Sequence, residues 1–291
     1  MNGRLYGLLA ALSAGVALLT NCGRSTPPES AAALNVTVSI LPQKYFVERI
    51  GGGHVSVNVM VEPGASPATY EPKPQQLAAL SRSAAYFSIG VAFEQVWLEK
   101  ISSANPDMLL VDTAAGIERM PMGEETGTAN LDPHIWLSPR LVEVQAQNIC
   151  AALAQIDPTH AKDYDANLAS FEADIDALDT DIRQKLAGVE SRKFIVFHPA
   201  WGYFARDYGL EMIPIEVGGQ EPSAAELAQV IAIAQEEHIQ VVLAQPEFST
   251  RSAETIAGEI GGRVLLISPL APDWLDNMRR VADTFTQVLS D

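Results

Sequence analysis

Eight short apolar runs, each of strand length and set apart by helical patterns, constrain this chain more than any other feature. The first four are NVTVSIL (35–41), VSVNVMV (55–61), AYFSIGV (85–91) and MLLVD (108–112). The second four are KFIVFH (193–198), EMIPIEV (211–217), VVLAQ (241–245) and RVLLIS (263–268). Strands separated by helices call for parallel sheets covered on both faces, because each crossover lays a helix on the sheet. The expected fold class is therefore α/β, with two parallel-sheet lobes. In such sheets, ligands occupy the crevice beyond the carboxyl ends of the strands.

One long helical pattern, residues 157–188, divides the two sets. It opens with Asp157 as N-cap and Pro158 in the first helical position, and closes on Lys185 and Gly188. Leu168, Phe171, Ile175, Leu178, Ile182 and Leu186 recur every three or four positions and so share one face. At 1.5 Å per residue, roughly thirty residues reach about 45 Å, enough to join two lobes as a stiff rod. Such a connector restricts hinge motion and predicts modest lobe or loop movement. Ser138 followed by Pro139 starts another helix, and Ser223 with Glu226 forms a capping box for the one from 224. The expected division is a lobe over 34–156, the joining helix over 157–188 and a second lobe over 189–291.

The N-terminus carries one early charge, Arg4, and then an uncharged, mostly apolar run from 5 to 19. That run is short for a membrane span and right for a signal peptide over 1–22. It ends at LLTNC, which resembles the lipobox of bacterial lipoproteins and makes Cys22 the candidate lipidation site. Asn21 departs from the small residue usual before that cysteine, and a plain secretory signal is the alternative. GRSTPPESAAA reads as a flexible tether over 23–33. Cys150, the only other cysteine, falls in an apolar helical pattern and is expected to be a buried small residue. A formal net charge of −17 over 291 residues repels phosphate backbones and argues against a nucleic-acid partner.

Five histidines are present. His54 lies in a glycine-rich turn, His160 at the start of the long helix and His238 at the end of another; solvated or capping roles suffice for these. His134 and His198 each sit beside a proline in a loop with aromatic neighbours, one per lobe. If the lobes face each other, the two imidazoles meet across the crevice.

The segments PGASPATYEPKPQQL, DPHIWLSP, FHPAWGYFARDYGL, GGQEPSAAEL and ISPLAPDWLDNM, in that order over about 34–289, resemble the ZnuA/TroA-like metal receptors of bacterial ABC importers. The resemblance implies two α/β lobes joined by one rigid helix. It also implies capture of zinc, or alternatively manganese, outside the cytoplasmic membrane and delivery to an ABC permease. Periplasmic or cell-surface placement, lipid-anchored through Cys22, follows from the same likeness. Its second and third ligands fall on His134 and His198. Its first falls on Ala68, which cannot coordinate, and its fourth on Ser268. Because zinc takes four donors, or three plus water, two imidazoles alone make an incomplete set. Glu247 in AQPEF, past the strand that neighbours His198, is the preferred replacement; Glu216 is a second candidate, with Glu71 and Tyr70 behind it. The histidine-rich loop frequent in zinc receptors is replaced here by GIERMPMGEETGTAN, which has no histidine.

Neither HExxH nor a serine nucleophile elbow is present, so an enzyme is not expected. A metallohydrolase with an open metal site is the second class. A relative that keeps the fold without metal, and recognises another solute or a partner protein, is the third; Ala68 and Ser268 are the features in its favour.

Overall fold

The computed structural model describes residues 33–122, 131–216 and 219–290. Every expected strand forms, seven of them within their apolar runs and the first starting one residue earlier, at Leu34. The first sheet contains β1 (Leu34–Val38), β2 (Val55–Val59), β3 (Ala85–Ser88) and β4 (Leu109–Asp112). The second contains β5 (Lys193–Val196), β6 (Glu211–Pro214), β7 (Val241–Ala244) and β8 (Arg263–Leu266). The orders are β2-β1-β3-β4 and β6-β5-β7-β8, with all pairs parallel. The same topology is thus used twice, and each sheet has its switch point beside its first strand. Register pairs β-branched and aliphatic residues across the ladder, as where Ile195 stands opposite both Ile213 and Val242.

Nine α-helices cover the sheets among the described residues: α1 (Leu41–Gly51), α2 (Pro74–Leu80), α3 (Ala92–Ala104), α4 (Pro139–Ile156), α5 (Ala161–Leu186), α6 (Gly202–Tyr208), α7 (Ala224–Glu236), α8 (Arg251–Glu259) and α9 (Trp274–Ser290). Ser138 caps α4, its hydroxyl accepting from Leu141 N at 3.3 Å, and Ser223 with Glu226 closes the expected box on α7. The long helix begins later than its sequence suggests. Residues Pro158–His160 form a 3-10 turn, and α5 runs 26 residues from Ala161, about 39 Å. At that turn the Asp157 carboxylate accepts from Tyr164 Oη at 2.7 Å and sits 2.6 Å from His160 Nδ1.

The buried face of α5 includes the expected Phe171, Ile175, Leu178, Ile182 and Leu186, with Tyr164 added and Leu168 only partly covered. This helix packs on α1 and α4 of the first lobe and on α9 of the second. At one end Phe46, Phe171 and Trp274 meet with centroids 5.2–6.2 Å apart; at the other, Phe285 lies between Phe194 and Phe204 at 4.7 and 5.0 Å. One hydrophobic core therefore runs through both sheets, and only the outer face of the second sheet, with α7 and α8, has its own cluster. Each fully buried Phe of this kind contributes roughly 1.5–3 kcal/mol. Cys150 is buried as expected, and burial together with Asp165 pushes its thiol to about 11. Cys22 lies outside the described residues, as does the greater part of the acidic segment before His134. Among the described residues no helix is long and apolar enough to cross a membrane.

Candidate metal centre

His198 stands two residues past β5. The β5–β6 ladder continues beyond the strands, with Glu216 N donating to Phe197 O at 2.9 Å, so Glu216 arrives beside the imidazole. Its Oε2 is 2.6 Å from His198 Nδ1. Gln245, just past β7, fixes the backbone: its Nε2 donates to His198 O at 2.8 Å and its Oε1 accepts from His198 N at 3.2 Å. Phe248 stacks on the ring at 4.7 Å.

His134 comes from the loop between β4 and α4. An antiparallel bridge between Pro121 and Leu131, and a 2.8 Å bond from Asp132 N to Met120 O, close the base of that loop. Asp132 Oδ1 accepts from His134 N at 2.9 Å and lies 2.7 Å from His134 Nδ1. Both imidazoles therefore face an acceptor-only carboxylate through Nδ1. That places the Nδ1 proton toward the carboxylate and leaves Nε2 to face the gap. A Cβ at 202 would stand 3.0 Å from Asp132 Oδ2, so a side chain there would have to displace that carboxylate slightly.

Across the gap the two Nε2 atoms are 3.3 Å apart, with the rings inclined at 73°. Two nitrogens bound to one tetrahedral zinc at about 2.0–2.1 Å are themselves about 3.3–3.4 Å apart. Burial keeps the pKa of His198 below its ordinary value, outweighing the upward pull of its hydrogen bond to Glu216, and His134 adds to the lowering. A neutral imidazole is the form that binds a metal.

The remaining residues read from the sequence are placed as follows. Ser268, past β8, donates to Glu247 Oε1 at 2.7 Å and accepts from Leu270 N at 3.1 Å. Glu247 Oε2 is buried with no hydrogen-bond partner among the described residues. Ala68 and Glu71 are exposed, and Tyr70 donates to Gln76 at 2.7 Å, shaping its loop. The structure brings His134 and His198 together. It does not bring Glu247 to them as a third donor, for no group of three or more His, Cys, Asp or Glu is poised to hold an ion among the described residues. Glu216 orients His198 through Nδ1. Asp132 was missed in the sequence, although Asp-Pro-His itself sets a carboxylate two residues before the ring. The loops of His134 and Ser268 are tied reciprocally, Trp136 Nε1 donating to Pro269 O and Trp274 Nε1 to Trp136 O, each at 2.7 Å.

Two parallel sheets of matched order, a bridging helix and imidazoles converging between the lobes are the arrangement of a metal-binding solute receptor. The family model for the periplasmic zinc-uptake complex component A, ZnuA, matches residues 36–288, and the chain belongs to that family. A crystal structure of ZnuA is 52% identical, covers 89% of this chain and 100% of its own, and superposes with a TM-score of 0.85. The high-affinity zinc uptake system protein ZnuA of Bacillus subtilis (strain 168) is 29% identical over 280 residues, 90% of this chain and 88% of its own length. The iron-binding protein YfeA of Yersinia pestis is 26% identical over 277 residues, 90% of this chain and 88% of its own.

Proposed function

We propose that this chain captures zinc outside the cytoplasmic membrane and hands it to an ABC permease, tethered to the membrane by a lipid on Cys22. The observation that carries the reading is the pair of Nε2 atoms 3.3 Å apart, each imidazole backed by a carboxylate. Imidazole donors suit zinc better than manganese, which prefers carboxylate, carbonyl and water oxygens. Zinc-uptake relatives and a zinc-bound ZnuA deletion mutant, 51% identical to this chain, favour the same ion. Glu247 is the third donor in this reading: its buried, unpartnered Oε2 gains a cation when the side chain turns toward the imidazoles, and water completes the set. Glu247 thereby substitutes for the side chains missing at Ala68 and Ser268.

The test is calorimetric titration of the mature chain with zinc and with manganese, together with metal analysis of the purified protein. One zinc per chain is expected, lost in His134→Ala and His198→Ala. At a free zinc concentration a hundred times Kd, the folded state gains about 2.7 kcal/mol. Neither heat nor stabilisation with any divalent ion would sink the reading and leave the metal-free alternative.

A further inference from the structure

We propose that Tyr203, a residue of the second lobe, is the positioning residue that holds the His134 imidazole of the first lobe at its metal-binding distance from His198. The assignment rests on the zinc-receptor reading above. His198 and Tyr203 belong to one strand–turn–helix unit, with Tyr203 in the first turn of α6. Their relative position is fixed within that unit, where Ala200 N donates to His198 O at 2.8 Å and Ala205 N to Trp201 O at 2.8 Å. From there the Tyr203 hydroxyl reaches into the other lobe. It donates to Asp132 O at 2.9 Å and accepts from Met120 N at 3.0 Å, gripping both strands at the base of the His134 loop. Asp132 then passes the constraint on, its Oδ1 engaging His134 N at 2.9 Å and Nδ1 at 2.7 Å. An unbroken run of hydrogen bonds thus leads from the unit bearing one imidazole to the ring of the other.

Burial makes the grip firm. Tyr203 is fully buried and Asp132 is 3% exposed, so water cannot readily replace the hydroxyl. The glycine at 202 has the same logic, because any side chain there would press on Asp132 Oδ2. Partners that orient a ligating histidine typically change metal affinity by about 10–100-fold. Tyr203 acts one bond further out, and its reach between lobes gives it control of separation as well as orientation.

Tyr203→Phe removes the hydroxyl and almost no volume. A matched control is Tyr208→Phe, which removes the 2.9 Å bond from another buried hydroxyl of α6 to Asp179 Oδ1, away from the imidazoles. Zinc affinity is measured in the full mature chain, and the visible ligand-field spectrum of bound cobalt(II) reports the geometry of the ion. We expect Tyr203→Phe to weaken zinc binding about tenfold or more and to alter the cobalt spectrum. Tyr208→Phe leaves both at wild-type values even where it lowers the melting temperature. Unchanged affinity and spectrum in Tyr203→Phe overturns the assignment, and so does an equal loss in both variants, which reduces the effect to general destabilisation. If Tyr203→Phe does not fold, Tyr203→Met takes its place: an altered cobalt spectrum supports the grip of the hydroxyl, and a wild-type spectrum overturns it. A wild-type chain that takes up neither zinc nor cobalt overturns the receptor reading and this assignment together, whereas normal uptake by both wild type and Tyr203→Phe overturns the assignment alone.

Discussion

Two histidine pairs in this molecule use the same residue types and arrive at different chemistry. His134 and His198 are each backed by a carboxylate, and so are His54 and His160, the latter by Asp163 at 3.0 Å and Asp157 at 2.6 Å. The rings of the first pair meet edge to face at 73° and are nearly buried. Those of the second lie parallel within 17°, centroids 3.8 Å apart, and are about one-third exposed at 33% and 29%. An imidazole lone pair lies in the plane of its ring. Inclined planes can intersect at a shared ion, whereas two stacked planes have no common point for one to occupy. The second pair is a packing device joining the turn before β2 to the start of α5. Composition, then, does not decide whether two imidazole lone pairs can reach a common point; ring inclination does.

The largest effect expected from breaking this contrast is in the inclined pair. His134→Ala or His198→Ala should lower zinc affinity by more than the ~10–100-fold typical of losing an outer partner, measured by competition with a chromophoric chelator. Next comes Glu247→Ala. A charge-assisted contact worth ~1.5–3 kcal/mol corresponds to roughly ten- to a hundredfold in Kd; unchanged affinity would remove Glu247 from the site.

Acid should act on the buried pair in a defined direction. The folded-state pKa of His198 is lowered, so its neutral form contributes stability fully above the ordinary value near 6.5, and that contribution fades as pH falls through the lower folded value. Denaturant unfolding of the metal-free protein at pH 7 and pH 5 should therefore show a smaller acid loss in His198→Gln than in wild type. The smallest effect belongs to the stacked pair. His54→Ala and His160→Ala should leave zinc affinity at its wild-type value and cost under about 1 kcal/mol, since their ion pairs are solvent-screened. Loss of zinc binding in either would refute the geometric distinction.

Much of the fold was legible because it is written in short-range patterns. All eight strands form at their apolar runs, with only Leu34 of β1 falling outside, and the caps at Ser138 and Ser223 formed where their side chains predict. The start of α5 was less legible: the Asp157 carboxylate engages Tyr164 and His160 there, contacts that depend on side-chain packing. At the centre, His134 and His198 were readable as loop histidines at corresponding ends of two lobes. Their 3.3 Å approach was not, because it depends on contacts between residues 64 positions apart. The role of Tyr203 was hidden for the same reason, since a hydroxyl that bonds a backbone carbonyl 71 residues away leaves no local signature; Asp132, two residues before His134, did carry a local signal. Ala68 remained visible as a missing donor, and among the described residues no third His, Cys, Asp or Glu is poised beside the two imidazoles.

The core that threads both sheets through α5 and α9 also determines how this receptor can signal that it is loaded. Prising the halves apart would strip Phe171, Trp274 and Phe285 of their neighbours, so the shared core opposes wide separation of the two lobes. A transporter docking on such a molecule would then have little jaw closure to sense. If the lobes stay together, the side chains rimming the cargo are what is left for it to read.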